Sequence, residues 1–278
     1  MRLAPLRSLA AEWMPPQARS FYRRHFTWRW FRGTYRTWEE AWAVSTGYGA
    51  PQILAKVLAA AETVRDGRAA FERDSVVFVE PECDVALLAA LEHVALARGG
   101  KMRVLDFGGS LGSTWFQLKP FLPPLAEVAW DVVEQPDFVR AGQQHLTADT
   151  LHFFPTIAAA RNVREHDVCL LSTVVQYLPK PHEFVDGILR EGFRFLLLNN
   201  LPLQSGAPDR ITVQRVPPEI YPASYPVWFL EREHFLRHFA ADYRVILKFA
   251  SSAVWSVDGQ PFPSAGLLLE RTGERPLP

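Results

Sequence analysis

Residues 102–112 read Met-Arg-Val-Leu-Asp-Phe-Gly-Gly-Ser-Leu-Gly. An apolar run, Val104-Leu105, ends in the carboxylate of Asp106. A turn containing Gly108, Gly109 and Gly112 follows, and then a helix-like segment. In an α/β protein, strand, tight turn and helix start in this order build a nucleotide site. Glycines let the backbone approach a ligand, and a helix N-terminus offers unpaired N–H donors. The dinucleotide spacing Gly-x-Gly-x-x-Gly fails here, because counting from Gly108 its later glycines fall on Ser110 and Ser113. No Gly-Lys-Ser/Thr follows, which excludes a phosphate loop of the triphosphatase type. What stands in the sequence is acid-x-Gly-x-x-x-Gly, from Asp106 to Gly112.

Outward from this turn, apolar runs at 102–107, 127–133, 151–154, 167–172 and 193–199 alternate with helical patterns at 113–122, 136–146, 156–162 and 181–190. Five such runs joined by crossover helices predict a parallel, doubly wound sheet. Tyr243–Ala250 and Ala265–Arg271 are strand-like with only the Asp258-Gly259 turn region between them. They predict a closing antiparallel hairpin. Asp84 is placed to cap a helix over 85–97. Residues 1–72 read as mainly helical, with Ile53, Leu54, Val57, Leu58 and Ala61 at helical spacing, and 75–80 as a short extended piece. The expected division is an N-terminal helical lid over 1–83 and an α/β domain over 84–278. That domain carries a substrate insert at 201–230, a connection with six prolines.

The second run ends Asp131-Val132-Val133-Glu134-Gln135. A carboxylate at the end of a second strand can accept both hydroxyls of a ribose. Asp106, the glycine turn and Glu134 together resemble the class I S-adenosylmethionine (SAM) methyltransferases. In that family acid-x-Gly-x-Gly-x-Gly ends the first strand and an acid ends the second. Here the middle position is Ser110, with Gly109 beside it. The resemblance implies a Rossmann-like sheet of seven strands, mostly parallel, closed by an antiparallel hairpin. It also implies SAM as cofactor. Asp106, Phe107, Gly108, Gly109, Ser110 and Gly112 would lie under the methionine moiety, with Glu134 and Gln135 at the ribose. Further blocks resemble a bacterial methyltransferase family whose members often accompany surface-polysaccharide genes: Phe31-Arg32-Gly33-x-Tyr35-x-x-Trp38-Glu39-Glu40-Ala41, Gly47-Tyr48, Arg210-Ile211-Thr212-Val213-Gln214 and Ser224-Tyr225-Pro226. That resemblance implies O-methylation of a sugar, nucleotide-sugar or glycan acceptor.

Strand C-termini line the cleft of an open α/β sheet, which adds candidates. Ser172 and Thr173, after the fourth strand, are expected beside the cofactor, with Gln176 and Tyr177 toward the reacting methyl group. Tyr177 is a catalytic candidate, or else the packed start of a helix. Asn199 and Asn200 end the fifth strand, where they bind a hydroxyl-rich acceptor or satisfy a buried turn. Arg210, Gln214, Tyr221 and Tyr225 are the polar substrate candidates of the insert. His234, at the start of a helix over 233–240, is the candidate general base for a hydroxyl acceptor. The eight histidines show no His-Glu-x-x-His, and no metal is expected.

Composition bounds the alternatives. The chain has 278 residues and no net charge. Cys83 and Cys169 are the only cysteines, which leaves no disulfide framework and fits a reducing cytoplasm. No apolar run approaches the ~20 residues that span a bilayer. Residues 1–36 hold eight arginines against Glu12, interleaved with aromatics. This segment reads either as a packed helix with solvated arginines or as a dock for anionic lipid or a polyanionic partner, peripheral to the inner membrane. No nucleic-acid partner is expected. The contrasting reading is a non-catalytic protein of the same fold that works through this basic aromatic segment.

Overall fold

The computed structural model describes residues 30–47, 51–216, 223–257 and 260–273. The leader before Trp30, Tyr48, Tyr221 and the Asp258-Gly259 turn lie outside the described residues. Strand β1 (Phe31–Tyr35) precedes helices α1 (Trp38–Ala43) and α2 (Pro51–Arg65), a small hairpin of β2 (Phe71–Arg73) and β3 (Val76–Phe78), and helix α3 (Val85–Ala97). The alternation then runs β4 (Lys101–Phe107), α4 (Ser113–Leu118), β5 (Glu127–Val133), α5 (Pro136–His145), β6 (Leu151–Phe154), α6 (Ile157–Arg161), β7 (Val168–Ser172), a 3-10 turn (Val175–Tyr177), α7 (Pro181–Glu191) and β8 (Phe195–Leu201). Strands β9 (Leu203–Gln204), β10 (Arg210–Arg215) and β11 (Ser224–Glu231) follow, then helix α8 (Arg232–Arg237), β12 (Tyr243–Val257) and β13 (Gln260–Arg271).

The main sheet has seven strands in the order β12-β13-β8-β7-β4-β5-β6. From β8 to β6 every pair is parallel, while β13 runs antiparallel to both β8 and β12. This is the architecture expected from the sequence, closing hairpin included. The strand pattern explains it. Phe195 and Leu197 enter one core with Met102 and Val104, while Leu196 and Leu198 enter the other with Leu105. Alternation of this kind, apolar on both faces, requires helices on both sides. Helices α2, α3, α4 and α5 cover the first face, and α6, α7 and α8 the second. The Asp84 carboxylate accepts from Leu87 N–H at 3.1 Å and caps α3, a bond of about 1 kcal/mol. No helix among the described residues is long and apolar enough to cross a membrane.

Two expectations are corrected. Residues 31–35 are not helical. They form β1, paired antiparallel with β10, and Gly33 sits at φ 80°, a conformation foreign to a helix. Aromatic spacing alone did not separate the two possibilities. The 201–230 insert, in turn, is more than a proline-rich connection. With β1 it builds a second sheet in the order β1-β10-β11-β9. Pro226 is tolerated inside β11 because β9 pairs only with Leu230 and Glu231 and does not reach it. This sheet leans on the turn after β7, where Tyr177 Oη donates to Gln214 Oε1 at 2.7 Å and Trp228 Nε1 to the Leu178 carbonyl at 3.1 Å. Its other anchor is Trp255 of β12, packed against Phe31 and Phe229.

Candidate functional site

The C-terminal ends of β4, β5, β7 and β8 lie side by side, and the candidate residues follow them. After β4 the backbone turns through Gly108 at φ 73°, Ser110 at φ 55° and Gly112 at φ 84°, which caps α4. Gly108 and Gly109 are glycines for different reasons. A Cβ on Gly108 would strike the Val174 side chain from the β7 turn, in addition to its left-handed backbone. Gly109 has no positive φ, but a Cβ there would run into the Asp106 carboxylate. Ser110 adopts the left-handed conformation that glycine takes easily, so the turn keeps its path at a cost of about 1–2 kcal/mol.

Asp106 lies under this turn at 1% exposure. Its Oδ2 accepts from Trp130 Nε1 at 3.0 Å, and its Oδ1 is buried with no hydrogen-bond partner among the described residues. Burial pushes its pKa up to about 7, against the indole hydrogen bond, and nearby Glu134 adds to the rise. Glu134 follows β5 and reaches back to the turn. Its carboxylate accepts from the backbone N–H groups of Gln135 and Ser110, yet burial holds its pKa above the usual carboxylate value. The acid of the second strand therefore meets the turn of the first. Phe107 packs against Phe184 of α7 with the rings tilted at 43°, and Gln135 is the N-cap residue of α5.

Across the sheet, Ser172 ends β7 and Thr173 follows at φ 57°. Asn199 is buried: its Nδ2 donates to Ser172 Oγ at 3.2 Å and its Oδ1 accepts from Ser251 Oγ at 2.6 Å. Asn200, at φ 57°, donates its backbone N–H to the same Ser251 oxygen. Gln176 is fully buried, with Nε2 on the Asn200 carbonyl at 3.3 Å and Oε1 without a hydrogen-bond partner among the described residues. Tyr177, bonded to Gln214, also meets Tyr225 edge-on at 5.3 Å. These three candidates from different segments are thus brought together. Arg210 instead donates to the Gly33 carbonyl at 3.2 Å and fastens β1 to β10. Cys169 is buried in β7, and burial pushes its thiol well up, as befits a core residue.

His234 sits on α8, half-exposed, with Nδ1 at 3.1 Å from Asp209 Oδ2. The sequence reading passed over the residues around it: His182, His238, Asp209 and Asp186. One signal was present, the spacing His234-x-x-x-His238, which puts two imidazoles one turn apart.

No protein-family model and no curated protein matches the chain. Among solved structures it is similar to the N-terminal domain of EvdMO1 in the presence of S-adenosylhomocysteine (SAH) and D-fucose. That match has 13% identity and a TM-score of 0.43, covering 77% of this chain and 97% of that one. A Burkholderia thailandensis 1,6-didemethyltoxoflavin-N1-methyltransferase with bound SAH shares 16% identity at a TM-score of 0.41, covering 83% and 94%. An amino pentose methyltransferase from Micromonospora echinaspora with SAM bound shares 14% identity at a TM-score of 0.40, covering 76% and 96%. At these values the functional conclusion falls to the strand order and site residues of this chain.

Proposed function

We propose that the protein is a SAM-dependent methyltransferase that methylates an oxygen of a sugar, a nucleotide-linked sugar or a glycan end. The observation that carries this reading is the meeting of Glu134 with the glycine turn above Asp106. The residues suit the cofactor. A carboxylate with two oxygens can accept from both ribose hydroxyls. Gly108, Gly109 and Gly112 keep side chains off the turn. The orphaned Oδ1 of Asp106 offers negative character beneath a group bearing an ammonium.

Asp106, Phe107, Gly108, Gly109, Ser110 and Gly112 would hold the methionine part, Glu134 and Gln135 the ribose, and Ser172 and Thr173 the flank toward β7. When bound, SAM supplies a methyl group already electrophilic on its sulfonium. The chain's own task is then to align the acceptor and exclude water. The second sheet, with Gln214 and Tyr225 against Tyr177, is the surface we assign to the acceptor, together with Gln176, Asn199 and Asn200. Tyr221 completes the assignment from sequence. His234, whose Nδ1 is held by Asp209, stands with His182 and His238 beside the second sheet and is assigned no proton transfer. The preference for a sugar oxygen rests on the sequence blocks that resemble the polysaccharide-associated family.

Titration calorimetry with SAM and SAH on the wild-type chain tests the cofactor. Glu134→Ala should weaken SAH about 10-fold or more, as expected for hydrogen bonds to a charged group. A folded sample that binds neither compound refutes the proposal. SAH release over a panel of sugar and nucleotide-sugar acceptors tests the chemistry. Tight binding with no turnover on any acceptor would favour the non-catalytic reading instead.

A further inference from the structure

Three histidines from two helices converge beside the second sheet. His182 lies in the first turn of α7, while His234 belongs to α8 and His238 caps its C-terminal end. Each offers one ring nitrogen within 4.8 Å of the others. His182 Nδ1 and His238 Nε2 stand 2.8 Å apart. The remaining nitrogens face carboxylates. His238 Nδ1 is 2.6 Å from Asp186 Oδ1, His182 Nε2 is 2.8 Å from Asp209 Oδ2, and His234 Nδ1 is 3.1 Å from that same oxygen.

This pattern fixes tautomers. A carboxylate facing one ring nitrogen holds the proton there and leaves the lone pair on the other. The nitrogens so freed are His182 Nδ1, His234 Nε2 and His238 Nε2. Two lone pairs 2.8 Å apart repel unless a cation lies between them. Without a metal, one of the two rings would have to carry both protons and bridge its own carboxylate, Asp209 for His182 or Asp186 for His238, to the other ring. A divalent metal relieves the repulsion with all three rings neutral. Neutral imidazoles with carboxylates behind them are the donor set of a zinc site, and half-exposed His234 leaves a fourth position to solvent.

We propose that His182, His234 and His238 form a binding site for a divalent transition metal of the zinc class, with Asp186 and Asp209 as the carboxylates that orient the rings. The site joins the start of α7, the segment before β10 and helix α8. It thereby fastens the second sheet to the main domain. It is independent of the cofactor reading and goes beyond it.

The test uses the untagged full-length chain, stripped with a chelator and titrated with Zn²⁺ against a chromophoric competitor, with metal content measured by mass spectrometry. One equivalent per chain is expected. His234→Ala, at a half-exposed position that spares the fold, and His182→Ala should each weaken binding at least about 10-fold, and Asp186→Asn about 10–100-fold. Co²⁺ in place of Zn²⁺ should give visible d–d absorption in the wild type that is lost in His182→Ala. Thermal melting of each metal-free variant checks that it is folded. A wild-type chain that takes up less than half an equivalent, or variants that bind as the wild type does, would overturn the site and leave the imidazolium arrangement.

Discussion

Asp106→Asn separates the electrostatics of the glycine turn from its shape. In the native chain Asp106 titrates at about 7, against an ordinary value of 3.8, mainly because burial disfavours its charge. A carboxyl whose folded pKa is raised contributes stability that is complete below the unfolded value. That stability is lost as pH rises toward the folded value. Between pH 5 and pH 8 the unfolded chain has already released this proton. The folded chain keeps most of it until pH 7. Linkage then removes about 2–3 kcal/mol of stability from the wild type across this window, one pKa unit being about 1.4 kcal/mol. Asparagine has the same shape, can still accept from Trp130 Nε1 and does not titrate. Its amide nitrogen takes the place of the unpartnered Oδ1, and that cost is the same at both pH values and cancels in the comparison.

The assay is urea unfolding of both proteins at several pH values from 5 to 8, without cofactor. From pH 5 to pH 8 the stability of Asp106→Asn should rise relative to wild type by about 2–3 kcal/mol. Glu72, whose raised pKa has no contribution from Asp106, acts on both proteins alike, while the coupling of Glu134 to Asp106 is smaller than the burial effect and belongs to the difference being measured. Parallel curves would show that Asp106 is already ionised under the turn, and the reasoning from its burial would fail.

Gly109→Ala should lose about 1–3 kcal/mol in the same assay, because its Cβ meets the Asp106 carboxylate, and SAH affinity should fall with it in calorimetry. Ser110→Gly should raise the midpoint by a gain of about 0.5–1 kcal/mol, the left-handed strain relieved less the added freedom of the unfolded chain. At the opposite end of the sheet, Asp167 accepts from Arg98 Nε at 2.6 Å and from Arg103 Nε and Nη2 at 3.0 and 2.9 Å. Burial opposes its ionisation, but the arginine hydrogen bonds outweigh it and hold the carboxyl below its usual range. Asp167→Ala should therefore cost about 3 kcal/mol at pH 7, the low end for a buried pair because both arginines are partly exposed. The difference from wild type should shrink as pH falls below about 4 and through the lowered pKa, which urea melts at pH 7 and pH 3 would show.

The parts of this molecule that were legible in its sequence are local. Strand ends and glycine turns are written in consecutive residues, so Asp106–Gly112 and Glu134 could be placed from spacing, and the closing hairpin from two strands without a helix between them. Ser110 looked like a departure from the pattern because sequence shows a missing glycine and not a backbone angle. At φ 55° the serine follows the glycine path. The histidine group needed α7, α8 and Asp209 to meet in space, and only the His234–His238 spacing hinted at it.

The second sheet was illegible for the same reason and changes how the N-terminus must be viewed. Phe31 and Arg32 pair with Gln214 and Val213, and Thr46 and Ser224 hold each other by hydrogen bonds, across contacts separated by nearly two hundred residues. The N-terminal region and the 201–230 insert, read from sequence as a helical lid and a separate substrate insert, share one hydrogen-bonded unit. Deleting residues 1–36 would therefore do more than remove a basic segment. It would strip β1 from β10, expose that edge and uncover Phe229 and Trp255, which pack against Phe31. Hydrogen exchange on the deleted chain should show lost protection across β10 while β4 and β5 stay protected. Unchanged protection in β10 would mean that β1 contributes nothing to the second sheet.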